Sequence, residues 1–152
     1  MREILFRGKR KNGEWVEGFY SQFHNRPTID EPNSHQIFEL IEEGVRFLKS
    51  SIGGYWHIVD PETIGQYTGL TDKNGKKIFE GDILISPIGR KATVEFGTYK
   101  PFSTKNSDDF ESWMLNVKGY GTCGLGKHCA EYMEVIGNIH DNPELLKGGV
   151  QE

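Results

Sequence analysis

The sequence predicts a mainly β fold: a β-rich α+β protein whose short antiparallel hairpins form a small barrel-like, partly SH3-like core with a short C-terminal helix. Three observations carry this prediction. Glycine, the residue that supplies positive φ in tight turns, is abundant at 19 positions. The apolar runs are short and dominated by β-branched and aromatic residues. The tripeptide Lys-Asn-Gly stands twice between such runs, and Asn-Gly between apolar segments is a strong short-range hairpin signal.

The elements follow in order. Glu3 to Arg7 and Trp15 to Tyr20 flank Lys11-Asn12-Gly13, so they read as a hairpin with Gly13 in the left-handed position of a three-residue loop. Ser21 to Asn33 carries Pro27, Pro32, Asn25, Asp30 and Asn33 and reads as a loop. Gln36–Ile41 and Val45–Lys49 form either a second hairpin or a short helix. Their β-branched and aromatic content favours strands. Tyr55–Val59 is a further strand. Asp60–Thr63 reads as a turn, or as a brief helical start with Asp60 as N-cap and Pro61 at the first helical position. Ile64–Leu70 and Lys76–Ile85 surround the second Lys-Asn-Gly turn, at Lys73-Asn74-Gly75.

The Pro87–Gly89 turn leads into a strand at Lys91–Phe96, and the stretch from Glu80-Gly81-Asp82 through Phe96 resembles the opening of a small SH3-like barrel. Thr98–Asp109 reads as a polar loop, Ser112–Val117 as a strand and Gly119–Gly126 as a glycine-rich loop. Glu131–Ile139 reads as the last strand. Asn142-Pro143-Glu144 then has an N-cap, a proline at the first position and an early acid, which open a short helix. One domain is expected over residues 1–147, with a frayed tail over 148–152.

Composition limits the function classes. At 152 residues the chain has the size of one domain, or of two small lobes. The net charge of −4 argues against coating nucleic acid by bulk electrostatics, although a local basic patch remains open. Met1-Arg2-Glu3 runs straight into alternating residues, so no secretion leader is expected. No stretch approaches ~18 apolar residues, so no membrane partner is expected. Cys123 and Cys129 read as reduced thiols in a loop, since a zinc site needs four ligands and only His128 stands near them.

Three segments together resemble the YopX family of bacteriophage and prophage proteins. The first is Asp60-Pro61-Glu62-Thr63-Ile64-Gly65-Gln66-Tyr67-Thr68-Gly69-Leu70 through Asp72-Lys73-Asn74-Gly75 to Ile78-Phe79-Glu80-Gly81-Asp82-Ile83. The second is Phe6-Arg7-Gly8-Lys9 with Trp15-Val16-Glu17-Gly18. The third is Glu134-Val135-Ile136-Gly137-Asn138-Ile139 followed by Asn142-Pro143-Glu144-Leu145-Leu146. The resemblance implies a phage or prophage origin, a bacterial cytoplasmic setting and a β-rich mixed fold. It implies no activity and transfers no functional residue.

Catalytic patterns are weak. Neither a G-x-S-x-G elbow nor a phosphate-cradling glycine loop is present. The five histidines show no metal-binding spacing, and no cofactor is expected. Asp60, Glu62, Glu80 and Asp82 are numerous enough for a carboxylate pair, but turn chemistry accounts for their spacing. The basic turns are the better candidates. Lys9, Arg10 and Lys11, with Arg7, cluster at the first hairpin, and Lys73, Lys76 and Lys77 at the second. Lys9, Arg10, Lys11, Lys73, Lys76 and Lys77 are the candidate partner-binding residues, weighed against the simpler role of solubilising exposed turns and edges.

The function expected is therefore that of a non-enzymatic accessory module contacting an unknown host or phage protein. Nucleic-acid binding through the basic turns is the first alternative, and an unrecognised hydrolase or nuclease the second. Self-association is a further expectation, with residues 34–59 as the ribbon for it.

Overall fold

The computed structural model describes residues 5–22, 35–40, 54–99 and 110–147. These divide into two compact units, Met1–Tyr67 and Thr68–Glu152. The mainly β expectation holds in both.

In the first unit, β1 (Phe6–Lys9) and β2 (Trp15–Gln22) form the predicted hairpin, with Arg7 opposite Glu17 and Lys9 opposite Trp15. β3 (His35–Leu40) pairs antiparallel with β2, and β4 (Gly54–Ile58) with β3. Strand is thus the outcome for Gln36–Leu40, whereas Val45–Lys49 lies outside the described residues. β5 (Asp60–Thr71) pairs with the other side of β1, giving the order β4-β3-β2-β1-β5. Val16, Ile37 and Val59 are buried together, with Phe6 and Ile64 packed against them. Gly8 belongs to that packing: a Cβ there would lie 2.8 Å from Cβ and Cγ2 of Val59.

The reading of Asp60–Thr63 as a turn or helical start is corrected, because these residues begin β5. Pro61 has no N–H to offer a ladder, and the β1–β5 register shifts between Arg7 and Lys9. Thr63 closes the irregularity: its hydroxyl accepts from Lys9 N at 2.8 Å and donates to the Asp60 carbonyl at 2.6 Å.

In the second unit the end of β5 turns back into β6 (Lys77–Phe79), and Thr68 Oγ1 donates to the Ile78 carbonyl at 2.8 Å. β7 (Asp82–Ile85), β8 (Lys91–Tyr99), β9 (Phe110–Val117), β10 (Gly121–Gly124) and β11 (Glu134–Asn138) make a five-stranded antiparallel sheet ordered β10-β9-β8-β7-β11. A single short helix, α1 (Lys127–Tyr132), joins β10 to β11 among the described residues. Leu84, Val94 and Leu115 are essentially inaccessible and form the centre of a core with Ile78, Ala92, Trp113, Leu125, Ala130, Met133 and Val135. Burying each of the Val, Leu, Ile and Met side chains among these contributes roughly 1.5–3 kcal/mol.

Several boundaries differ from the sequence reading. The sheets do not close into a barrel: β10 and β11 end the five-stranded sheet as edges, with no further strand joining them among the described residues. β8 runs to Tyr99 and β9 begins at Phe110, so Thr98 and Tyr99 of the expected polar loop belong to a strand, and 100–109 lies outside the described residues. The glycine-rich stretch expected as a loop contains β10, paired residue by residue with β9 from Gly121↔Val117 to Gly124↔Met114. Glu131 and Tyr132, expected in the last strand, complete α1 instead. The C-terminal helix is one 3-10 turn, Pro143–Leu145, with proline in its first turn as expected. Asn142 makes no side-chain cap there. Its Oδ1 accepts from Asn138 N at 3.3 Å, tying the end of β11 to the segment that follows. The expected tail over 148–152 lies outside the described residues.

Candidate functional site

One five-residue turn recurs and sets out the basic residues. In Arg10–Glu14 the first N–H donates to the last carbonyl at 2.8 Å, and Gly13 N donates to the Arg10 carbonyl at 2.9 Å. Asp72–Lys76 and Ser86–Arg90 repeat both bonds, with glycine fourth each time at φ +88, +79 and +83°. That left-handed position is the one predicted for Gly13. The side-chain caps differ. Asp72 Oδ1 accepts from Asn74 N and Lys76 N, and Ser86 Oγ from Arg90 N. Arg10 cannot accept, so Asn12 Oδ1 takes the Glu14 N–H at 3.0 Å instead.

The first turn forms one wall of a cleft of about 660 Å³. Lys9, Arg10, Lys11, Asn12 and Gly13 line that side, and Ile58, Val59, Asp60 and Pro61 line the other. The β1–β5 register, which sets Lys9 opposite Asp60, brings the two walls together. Ile58 and Pro61 are exposed, Val59 is buried, and Asp60 Oδ1 accepts from Glu62 N at 3.0 Å. Three cations against one carboxylate give the lining a positive balance on a chain of net charge −4.

Glu14 tempers that balance. Arg10 Nη1 sits 2.7 Å from Glu14 Oε2, and Asn12 Nδ2 donates to the same oxygen at 3.2 Å. The hydrogen bond from Asn12, then that from Arg10 and the Arg10 charge, hold the Glu14 carboxyl below its ordinary range. Glu14 therefore remains ionised at neutral pH and competes with any outside anion for Arg10. Behind the turn, the Arg7 guanidinium lies 4.9 Å from the centre of the Trp15 ring, with Arg7 itself buried.

The six predicted binding residues fall into two groups. Lys9, Arg10 and Lys11 belong to the cleft of the first unit. Lys73, Lys76 and Lys77 belong to the second unit, around the turn at Asn74-Gly75. Lys73 Nζ pairs with Glu134 Oε2 at 3.1 Å, and Lys73 N donates to the Met133 carbonyl at 3.0 Å, which docks that turn onto β11. Asp72 completes the docking: its Oδ2 accepts from Val135 N at 2.9 Å. The sequence signalled the near wall of the cleft and missed the far wall, because the far wall depends on a register between segments some fifty residues apart.

Two of the four acids considered for hydrolysis, Asp60 and Asp82, hold backbone N–H groups. Asp82 is buried, and its Oδ2 accepts from Phe79 N at 2.8 Å. Asp60 caps Glu62, while Glu62 and Glu80 are exposed. Cys123 and Cys129 are free thiols. Burial, then the neighbouring Cys123, pushes the Cys129 thiol upward. Among the described residues, no group of three or more His, Cys, Asp or Glu side chains is placed to hold a metal, and no helix is long and apolar enough to cross a membrane.

Comparison with known proteins gives one family. A family model described as YopX protein matches residues 5–147. No curated protein matches the chain. Among solved structures, the crystal structure of protein EF1440 from Enterococcus faecalis is similar, at 24% identity and a TM-score of 0.48 over 97% of this chain and 100% of that one.

Proposed function

The chain belongs to the YopX family, and from that premise we propose that it is a phage or prophage accessory protein of the bacterial cytoplasm that acts as a non-enzymatic protein-binding module. The cleft at the first hairpin supports this reading: it combines Lys9, Arg10 and Lys11 with the exposed apolar surface of Ile58 and Pro61. Such a mixture fits an acidic segment of another protein, whose carboxylates meet the cations while an apolar side chain covers Ile58. The order of the turn keeps the cations on a fixed frame, which lowers the conformational cost of binding.

The test compares tagged wild-type protein with a Lys9→Glu/Lys11→Glu variant in capture from a bacterial lysate. A protein retained by the wild type and lost with the variant is the expected result. Identical capture by both, or no specific capture by the folded wild type, would overturn the reading. Because Glu14 holds Arg10, Glu14→Gln should strengthen the same capture several-fold at low salt, and high salt should erase the difference.

A further inference from the structure

The second unit carries another cationic surface, built from different turns. The Ser86–Arg90 turn joins β7 to β8, and residues 118–120 join β9 to β10. Ala92 pairs with Val117, and Lys118 N donates to the Lys91 carbonyl at 3.1 Å, so both turns lie at one end of the five-stranded sheet. There the Arg90 guanidinium stacks 3.9 Å from the centre of the Tyr120 ring, which is still 64% exposed. Ile88, at the tip of the neighbouring turn, is 74% exposed. Lys91 Nζ donates to the Leu145 carbonyl at 3.1 Å, and Lys118 Nζ donates to the Leu146 carbonyl. Consecutive carbonyls at the end of the 3-10 turn thus hold two ammonium groups side by side.

We propose that Arg90, Tyr120, Lys91 and Lys118 form a platform that binds single-stranded nucleic acid, with a base stacked on Tyr120 and phosphates near the three cations. The arrangement combines an exposed aromatic plane with fixed positive charge, the two elements that sequence-tolerant single-strand binding requires. Its sign is opposite to the net charge of the chain, so composition alone does not produce it. An acidic peptide would engage the cations but leave the Tyr120 ring uncovered. A duplex hides its base faces within the stack, whereas a single strand offers them. Ile88 adds apolar surface against which a sugar or second base can pack. This platform does not rest on the cleft reading and shares no residue with it.

Fluorescence anisotropy with a labelled oligothymidylate of about twelve nucleotides tests the proposal on the full chain. Binding is expected to weaken about 20-fold between 50 and 200 mM salt, as three neutralised phosphates require. Tyr120→Ala should weaken it about tenfold or more, Tyr120→Phe should largely restore it, and Arg90→Gln should weaken it and flatten the salt dependence. Lys9→Glu/Lys11→Glu, in the cleft, should leave it unchanged. No binding at 50 mM salt overturns the proposal. So does equal binding of a labelled hexaglutamate peptide, equal binding by Tyr120→Ala, or loss of binding in the cleft variant. Arg90→Gln decides independently should Tyr120→Ala fail to fold.

Discussion

Asp72 shows how a single side chain links local turn chemistry to the core. One carboxylate oxygen closes its own turn by accepting from Asn74 N and Lys76 N; the other reaches across to Val135 N in β11. Burial by itself would raise the carboxyl pKa. The hydrogen bonds from Val135, Lys76 and Asn74, with the Lys76 charge, outweigh it and hold the group below its ordinary value of 3.8. Its folded pKa is therefore lower than its unfolded one. The stabilisation is complete above the unfolded value and is lost as pH falls through the folded one. Asp72→Ala leaves the Val135 N–H without its acceptor and should cost about 2–4 kcal/mol at pH 7. Asp72→Asn should not restore the wild type, because the amide can present only one accepting oxygen. Denaturant melts between pH 2 and 7 should show a gap between wild type and Asp72→Ala that narrows below about pH 4. A gap constant across that range would mean that the charge plays no part.

At the scale of elements, the recurrent turn separates two uses of glycine. Gly75 has φ +79°, and a Cβ added there would meet nothing within 4 Å, so only backbone conformation opposes a side chain. Gly75→Ala should cost about 1–2 kcal/mol, and Gly75→Asn less, since asparagine tolerates the left-handed region. Gly8 is constrained by contact: Gly8→Ala meets Val59, and adding Val59→Ala to it should recover part of the loss. Thermal melts of the four variants check this; equal costs for Ala and Asn at position 75 would remove the conformational explanation. The same contrast explains what the sequence made legible. Lys-Asn-Gly turns announce themselves through local chemistry, and so the hairpins and the basic wall of the cleft could be read directly. β10 and α1 carry no such signal: Gly126 makes no side-chain cap, no acid stands in the first turn, and the Gly-Thr-Cys-Gly strand is exposed and poor in apolar residues. The start of β5 was hidden because Asp-Pro is a turn signal in isolation, and the Thr63 hydroxyl that bridges Lys9 N and the Asp60 carbonyl belongs to a pairing between distant segments.

At the scale of the molecule, the two units differ in the core that their described residues supply. The first has Val16, Ile37 and Val59 as its buried cluster. The second has a larger one, centred on the strands β7, β8 and β9 and extended by α1 and β11. Opening a segment exposes the apolar surface it had buried, so the free energy of local opening should follow that difference. Position within a sheet adds a second ordering, because a central strand is bonded on both sides and an edge strand on one. Amide hydrogen exchange should therefore be slowest at Val94 and Leu115, faster in the edge strand β10, and faster in β1 and β2 than in β8. Leu84→Ala, which removes a fully buried side chain from the larger core, should cost about 2–5 kcal/mol and accelerate exchange in β7–β9 most strongly. If β1 and β2 instead exchange as slowly as β8, and Leu84→Ala accelerates both units equally, the whole chain opens in one cooperative step and the size of each core does not set its own stability.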